Sequence, residues 1–306
     1  MPEIPRRLAL VAAVAGGGLI GVQGRINGEL ATRSGSPLEA AAASFVIGLI
    51  MLAVIVPFRR AGWARLRSGR TAIWWWFGGL GGAFFLATSA HGVPEVGVAL
   101  VSVCLVAGTT TGALLSDEFG LGPSGRHAPT FWRIVGVIVV IVAVVIGAFG
   151  DRHGTFKPLL FLLLFSAGAS TAAQQAANGQ LRGVADDVII AAFISFVGGT
   201  TALIVAVLAA GELSVRSLPT SAWLYLGGPI GVAYILIGAS MVSVLGVLRF
   251  VLGVVAGQLV VAVVIDSAWP APGITLRATT VIGAIVTVAG VWLSGRDADE
   301  TAAESA

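Results

Sequence analysis

The residues best suited to polar chemistry are two pairs of amides inside apolar segments. Gln23 and Asn27 are four residues apart, and Gln174 and Asn178 repeat that spacing later in the chain. In an α-helix this spacing places both side chains on one face. An amide surrounded by hydrocarbon is unfavourable unless it forms hydrogen bonds or lines a wet cavity. The pairs therefore bond neighbouring helices together, line a pocket for a polar solute, or do both.

Further hydroxyl and amide side chains extend this polar set. The candidate lining of a solute cavity comprises Gln23, Asn27, Thr109, Thr110, Gln174, Asn178 and Gln258. A helical rise of about 1.5 Å per residue places Gln23 and Gln258 in the outer third of the membrane, under the orientation argued below. Gln174 and Asn178 fall with the threonines in the inner third. We expect two polar layers separated by an apolar, glycine-rich middle.

Two charges of opposite sign share another face of the first predicted helix. Arg25 and Glu29 are also four residues apart, whereas the corresponding positions in the second half hold Ala176 and Gln180. One interpretation is a mutual salt bridge near the outer membrane interface. The alternative is functional: Glu29 binds a cation or proton, or Arg25 meets an anionic solute.

Two acidic residues, Asp117 and Asp266, end predicted helices at corresponding places in the two halves. A carboxylate at a helix C-terminus opposes the helix dipole and needs compensation. We expect a following short turn to use each Asp as its N-cap, with proton coupling as the alternative.

Other residue types argue against an enzyme. The sequence contains neither an HExxH zinc motif nor a GxSxG nucleophile elbow. Its histidines are His91, His127 and His153, and the last two lie in predicted loops on opposite membrane faces. Cys104 is the only cysteine, which excludes a disulfide framework and a cysteine-rich metal site. We expect no catalytic residue, metal, cofactor, nucleotide-binding loop or nucleic-acid partner.

The elements that position these residues are apolar helices. Of 306 residues, 57% are hydrophobic and 11% are charged, against about 25% charged in soluble domains. This composition predicts an all-α integral membrane protein, because the apolar runs are too long and continuous for barrel strands. Ten transmembrane helices are predicted at 8–32, 37–57, 72–90, 95–116, 131–149, 158–181, 187–209, 221–241, 244–265 and 274–294.

The basic residues predict the orientation. With the N-terminus in the cytoplasm, eleven Lys or Arg residues lie inside and five outside. This bias predicts a multi-pass protein of the plasma (inner) membrane with both termini cytoplasmic. The densest block, RRAGWARLRSGR at 59–70, is then a cytoplasmic loop. It acts as a topology determinant or contacts anionic lipid.

The two halves of the chain resemble each other. VQGRINGEL (22–30) aligns with AQQAANGQL (173–181) at an offset of 151, and Ser44 continues this alignment onto Ser195. Because each half has five predicted helices, an odd number, the second half must enter the membrane from the opposite side. We predict inverted repeats at 1–150 and 158–295, an external junction loop at 151–157, and a short disordered cytoplasmic tail at 296–306.

These motifs resemble the YdcZ-like, EamA-related branch of the drug/metabolite transporter superfamily. The resemblance rests on Gln23 and Asn27 in helix one, GSPLEAAAASFVIG (35–48), AGTTTGALLSDEFGLG (107–122) and AGQLVVAVVID (256–266). It covers nearly the whole chain. It implies a ten-helix transporter with a central cavity between its halves. Thr109 stands where the second half has Gln258, so the two halves are not expected to bind a solute identically.

We therefore expect a secondary transporter that moves a small polar or amphipathic metabolite or drug-like solute by alternating access. Membrane lipid is the other expected partner, and proton or ion coupling is a hypothesis. The alternatives are a channel and a lipid flippase-like or structural membrane protein. The sequence does not determine the oligomeric state.

Overall fold

The computed structural model describes residues 5–123, 125–126, 128–149, 157–212, 219–245 and 247–293. Within this part the chain forms eleven α-helices and no strand. They are α1 (Arg6–Ser34), α2 (Pro37–Ile55), α3 (Arg60–Ser68), α4 (Gly79–Val96), α5 (Val98–Glu118), α6 (Phe131–Phe149), α7 (Pro158–Ala185), α8 (Val188–Ala210), α9 (Gly227–Leu245), α10 (Val247–Ala268) and α11 (Ala278–Leu293). Of the predicted junction loop only Lys157 is described, and the predicted tail lies outside the described residues.

The helices are those of a membrane protein. Five segments have the length and hydropathy needed to cross a bilayer: Arg6–Ser34, Pro37–Phe58, Val98–Glu118, Pro158–Ala185 and Val188–Ala210. Shorter apolar helical stretches, each of 10–17 residues, lie in α6, α10, α11 and around the start of α9. Apolar side chains such as Val54 and Val205 are exposed on the surface of the bundle. This is expected where hydrocarbon rather than water surrounds the protein.

Among the differences from the predicted helix boundaries, two concern the segment between α2 and α5. Residues 60–68, predicted as loop, form the short helix α3. The predicted helix at 72–90 begins as a 3-10 helix, Ile73–Phe77, and continues as α4 to Val96. The predicted turn at 91–94 is therefore helical as well. Gly97 alone separates α4 from α5, and its positive φ of 84° is a conformation that glycine adopts without strain.

The connections α1–α2 and α7–α8 are built alike. Gly35 and Asp186 end α1 and α7 in the left-handed conformation, with φ of 80° and 49°. Ser36 then caps α2 by accepting a hydrogen bond from the Glu39 N–H (3.0 Å), and Asp187 caps α8 by accepting one from Ile189 (2.8 Å). Both pairs of residues are 151 positions apart, which is the offset of the sequence repeat.

Two close helix crossings also occupy corresponding positions. Where α1 meets α10, a Cβ on Gly17 or Gly257 would overlap the backbone carbonyl of Val254 or Val14. Where α7 meets α5, a Cβ on Gly168 or Gly108 would overlap that of Leu105 or Phe165. Glycine lets these backbones touch, and such van der Waals packing is a main source of helix association in membranes. The crossings hold the polar segments of α1 and α7 against the opposite halves of the chain.

The remaining pairs complete the bundle. The helix α2 packs against α8 and α6 packs against α11. Between α2 and α8 the rings of Phe45 and Phe196, again 151 positions apart, lie 5.0 Å centre to centre. Buried side chains of α4, α5, α7 and α10, among them Val93, Cys104 and Leu164, form an apolar cluster. The polar segments of α1 and α7 therefore lie in the interior of the bundle.

Candidate functional site

The first amide pair connects α1 to α2 and to the start of α9. The Gln23 Nε2 donates to the carbonyl oxygen of Gly227 at 2.7 Å, and the Ser44 hydroxyl donates to the Asn27 Oδ1 at 2.6 Å. Asn27 is completely buried. Its Nδ2 has no hydrogen-bond partner among the described residues. In this structure the pair therefore acts as a tight bond between helices, with one buried donor left over.

The second amide pair has the same residue types but different partners. The Gln174 Nε2 donates to the Ser195 hydroxyl at 3.1 Å. The buried Oδ1 of Asn178 has no hydrogen-bond partner within the described part of the chain. Asn178 is only partly buried, in contrast to Asn27. Corresponding residues of the two halves are thus engaged unequally.

Glycines bring helix backbones against both glutamines. A Cβ on Gly231 would lie 2.9 Å from the Gln23 Nε2, and a Cβ on Gly82 would lie 2.6 Å from the Gln174 Nε2. These two glycines are 149 positions apart, as are Gly78 and Gly227. Each glutamine is therefore confined at a corresponding place in its half.

Sequence reasoning did not place Ser44 and Ser195 in the site, although their match in the repeat was visible. They supply the hydroxyls that meet Asn27 and Gln174. Both serines are almost completely buried. A polar residue that repeats at the same offset as the amides was the signal available in the sequence.

The remaining cavity candidates lie on α5 and α10. The Thr110 hydroxyl donates to the Val106 carbonyl at 2.7 Å, a bond within its own helix. The Thr109 hydroxyl lies 3.1 Å from the Gly168 carbonyl oxygen and 3.2 Å from the Thr171 hydroxyl, so it contributes to the α5–α7 crossing. Gln258 is buried in α10. The hydrogen bonds of the described residues do not join Gln258 to the amide pairs.

A cluster of charges and indoles closes one end of the bundle, which we call the Trp269 end. The Arg25 Nη1 lies 2.8 Å from the Glu29 Oε2, and the Arg33 Nε lies 2.8 Å from the Glu29 Oε1. The Arg25 guanidinium lies 4.3 Å from the centre of the Trp269 ring, and its Nε donates to the Trp269 carbonyl at 3.1 Å. Trp223 completes the cluster, with its ring centre 5.5 Å from that of Trp269.

Arg25 is 3% exposed in this cluster, so its charge is balanced by a carboxylate and an aromatic ring rather than by water. The predicted Arg25–Glu29 contact is present, with Arg33 as an additional partner. The two tryptophans were missed as site residues, since they come from segments far from α1 in the sequence. Arg33 was also missed, although its spacing of four residues from Glu29 was visible in the sequence.

Asp266 has a different role from the expected cap of a following turn. It lies within α10, and its carboxylate accepts hydrogen bonds from the backbone N–H groups of Val98 (2.9 Å) and Ala99 (2.7 Å). These are the first residues of α5, whose N–H groups have no partner within their helix. The carboxylate therefore caps a helix 167 or 168 residues away, and joins α10 to α5 at the Trp269 end.

Asp117 does not cap a following turn either. Its carboxylate lies 2.9 Å from the Arg133 Nη1 at the start of α6, and both side chains are substantially exposed. We call this opposite end of the bundle the Asp117 end. Asp266 caps α5 at Val98, and the position that corresponds to Val98 by the offset of 149 is Val247 at the start of α10. The Asp117 carboxylate pairs with Arg133 instead. Corresponding aspartates are thus engaged differently at the two ends.

No group of three or more His, Cys, Asp and Glu side chains among the described residues could hold a metal ion. Cys104 is a free, buried thiol.

Apolar helices of bilayer length, joined through buried amides, define an all-helical, multi-pass membrane protein. Residues 8–146 and 159–293 match the family described as "Putative inner membrane exporter, YdcZ", of the drug/metabolite transporter type. The chain belongs to this family, which supports a membrane transporter in general terms. The two matched stretches correspond to the two halves of the sequence.

One solved crystal structure has the same overall fold. It superposes with a TM-score of 0.54 over 94% of this chain and 96% of that chain, at 17% sequence identity. No curated protein matches the chain.

Proposed function

We propose that the protein is a secondary transporter which moves a small polar or amphipathic solute by alternating access. In this proposal ten helices span the membrane as two inverted five-helix repeats, α1, α2 and α4–α6 followed by α7–α11. The family description supports export as the direction. Two related halves of opposite orientation can exchange conformations, and each exchange moves the opening to the other face.

Corresponding contacts across the two halves support the repeat. The caps at 35–36 and 186–187 are alike, and the α1–α10 crossing has its counterpart in the α5–α7 crossing. A helix unit with an odd number of spans reverses its orientation on duplication, so like contacts then lie at opposite depths. The basic residues favour the Trp269 end as the outer one and the Asp117 end as the inner one.

The two amide pairs have different hydrogen-bond partners, and this difference is the main support for alternating access. Gln23 binds the Gly227 carbonyl and Asn27 binds Ser44, while Gln174 binds Ser195 and the Asn178 Oδ1 lacks a partner among the described residues. The two halves thus contain the same amide and serine groups in two different hydrogen-bonding arrangements. This difference is expected when a transporter with two conformations is seen in one of them. In the opposite state, Gln174 would bind the Gly78 carbonyl and Asn178 would bind Ser195.

The polarity of the candidate lining limits the class of solute. Amide and hydroxyl groups offer hydrogen bonds without net charge, and the nearby Arg25 charge is already paired with Glu29. We therefore propose a solute with a hydrogen-bonding, uncharged part and an apolar part that suits the glycine-rich middle. The proposal requires neither a metal nor a cofactor.

Thiol accessibility tests the proposal at a pair of corresponding positions. Asn27→Cys and Asn178→Cys are labelled with a membrane-impermeant maleimide in right-side-out and inside-out vesicles. We expect Asn178→Cys to react in inside-out vesicles and Asn27→Cys to remain unreactive in right-side-out vesicles, because Asn27 is sealed beneath the Trp269 cluster. The wild-type protein gives the background, since its single thiol, Cys104, is buried.

A lipid-facing control and a second state complete the test. Val205 is 58% exposed on α8, and Val205→Cys should stay unreactive from both sides because hydrocarbon keeps a thiol protonated. Adding Asp266→Ala to Asn27→Cys should make the thiol reactive from outside. Equal reaction of both amide positions from both sides would instead indicate a continuous channel. No reaction in any variant would exclude both positions from the pathway.

A further inference from the structure

The short helix α3 has one face docked on the protein. Gly62 and Leu66 are buried, and a Cβ on Gly62 would lie 3.1 Å from the Asp187 Cβ. Leu66 belongs to an apolar cluster with Leu181, Ala185 and Ile190 from α7 and α8. This face therefore anchors α3 at the α7–α8 connection.

Two arginines of this segment strengthen the docking. The Arg65 Nη1 lies 3.1 Å from the Asp186 Oδ2, and the Arg59 Nε lies 3.8 Å from the Asp187 Oδ2. These two aspartates form the α7–α8 connection on which α3 rests. Their negative charges are thereby directed toward Arg59 and Arg65.

The other face of α3 forms a shallow groove. Arg60, Trp63, Ala64 and Arg67 line it, and its volume is about 360 Å³. Their spacing of three, four and seven residues places them on one face of the helix. Neither Arg60 nor Arg67 forms an ion pair with any residue that the structure describes, and both are exposed. Two uncompensated guanidinium groups therefore flank one aromatic floor.

Exposed apolar side chains lie next to α3 in the sequence, on both sides of it. Phe58 is 83% exposed and Ile73 is 78% exposed, directly before and shortly after α3. Trp74 and Trp76 follow, both partly exposed. Tryptophan is enriched at the interface between hydrocarbon and headgroups, and exposed apolar residues beside a basic groove suit acyl chains rather than water.

We propose that the α3 groove binds the headgroup of an anionic phospholipid, with Arg60 and Arg67 donating hydrogen bonds to its phosphate oxygens. Guanidinium groups match phosphate oxygens in charge and geometry. Trp63 forms the floor of the site, held by an edge-on contact with Phe193, whose ring centre is 6.4 Å away. The exposed apolar residues that precede and follow α3 favour a lipid over a free phosphate, because they contribute only when acyl chains are attached.

Binding to the purified full-length protein tests this site. Native mass spectrometry in a neutral detergent measures retention of phosphatidylglycerol and of phosphatidylcholine. We expect the double variant Arg60→Gln, Arg67→Gln to bind phosphatidylglycerol roughly 30-fold more weakly, from the contribution of each basic residue near an anionic surface. Binding of phosphatidylcholine should not change.

The matched control removes the same charge from another exposed basic pair. Arg6→Gln with Arg7→Gln should keep phosphatidylglycerol binding within about twofold, since no aromatic groove lies between them. An equal loss in both double variants would overturn the proposal in favour of general charge attraction. Unchanged binding in the groove variant would overturn it directly. Thermal unfolding in neutral lipid confirms that both variants are folded.

A competition experiment separates lipid from free phosphate. Excess glycerol 3-phosphate has the phosphate group but no acyl chains, and it should leave the bound phosphatidylglycerol in place. Complete displacement by this soluble competitor would show a site for a free phosphate compound and would refute the lipid assignment. The site is independent of the transport proposal, so its failure leaves the thiol-accessibility test unaffected.

Discussion

The hydrogen bonds between Asp266 and the start of α5 lead to the sharpest prediction of stability. The carboxylate is 4% exposed and accepts from the Val98 and Ala99 N–H groups at 2.9 and 2.7 Å. A hydrogen bond to a charged group contributes about 1.5–3 kcal/mol. Asp266→Ala removes two such bonds and leaves two buried donors without a partner. We expect it to lower the free energy of unfolding by about 3 kcal/mol or more.

Asp266→Asn separates charge from shape. The amide has one oxygen that can accept, while its NH₂ group would face a backbone N–H and repel it. We expect a loss of roughly half that of the alanine variant, about 1.5–2 kcal/mol. Unfolding is followed by tryptophan fluorescence in mixtures of neutral detergent and sodium dodecyl sulfate, with Trp269 three residues away as a local reporter.

Asp117→Asn is the matched control at the corresponding position of the first half. Asp117 is 42% exposed and pairs with an arginine that is itself partly exposed, so its loss should cost less than about 1 kcal/mol. The reasoning is refuted if Asp266→Ala unfolds at the wild-type detergent composition. It is also refuted if the two asparagine variants lose the same stability.

Two further contrasts follow from packing and charge. Gly257→Ala should destabilise the protein by about 1–3 kcal/mol, because the new methyl group overlaps the Val14 carbonyl at the α1–α10 crossing. Gly183→Ala should instead stabilise it by about 0.5–1 kcal/mol in the same unfolding assay, since that glycine has open space around it; a loss at both positions would contradict this. Arg25→Gln should cost about 3 kcal/mol because Arg25 is buried, whereas Arg33→Gln, at 45% exposure, should cost less than about 1 kcal/mol. Equal effects of the two substitutions on the unfolding midpoint would show that burial of the ion pair is unimportant.

The two ends of the bundle are held together by different contacts at corresponding positions. At the Trp269 end, Arg25, Glu29 and two indoles meet beside the Asp266 cap. The positions that correspond to Arg25 and Glu29 in the second half are Ala176 and Gln180. The Gln180 amide donates to the Leu121 carbonyl at 3.1 Å, a single neutral bond. At the Asp117 end, a neutral hydrogen bond therefore stands where the Trp269 end has the Arg25–Glu29 ion pair.

Prediction from sequence succeeded where the signal was local. The shared face of Gln23 and Asn27 follows from helical spacing, and the Arg25–Glu29 contact follows from the same rule. Most helices were predicted within a few residues because a continuous apolar run is sufficient to define one. The family resemblance, likewise carried by short motifs, is confirmed by the match over both halves.

Prediction failed where the conformation or partner of a residue depends on contacts with distant parts of the chain. Nine residues rich in arginine do not form a stable helix alone, and α3 forms because Leu66 and two ion pairs dock it on the α7–α8 connection. The partner of Asp266 could not be inferred either. An exposed N-terminus of any helix attracts a carboxylate, and only the packed bundle brings the start of α5 to it.

The amino-acid sequence alone determines that this chain is a helical membrane protein with two similar halves and amides facing its interior. Those properties depend on hydropathy and on spacings of three to four residues, which act within one helix. The tertiary structure decides which helices cross through Gly17 and Gly108, which backbone groups Asp266 caps, and which tryptophans cover Arg25. Such contacts join residues far apart in the chain, and their geometry depends on how all the helices pack at once.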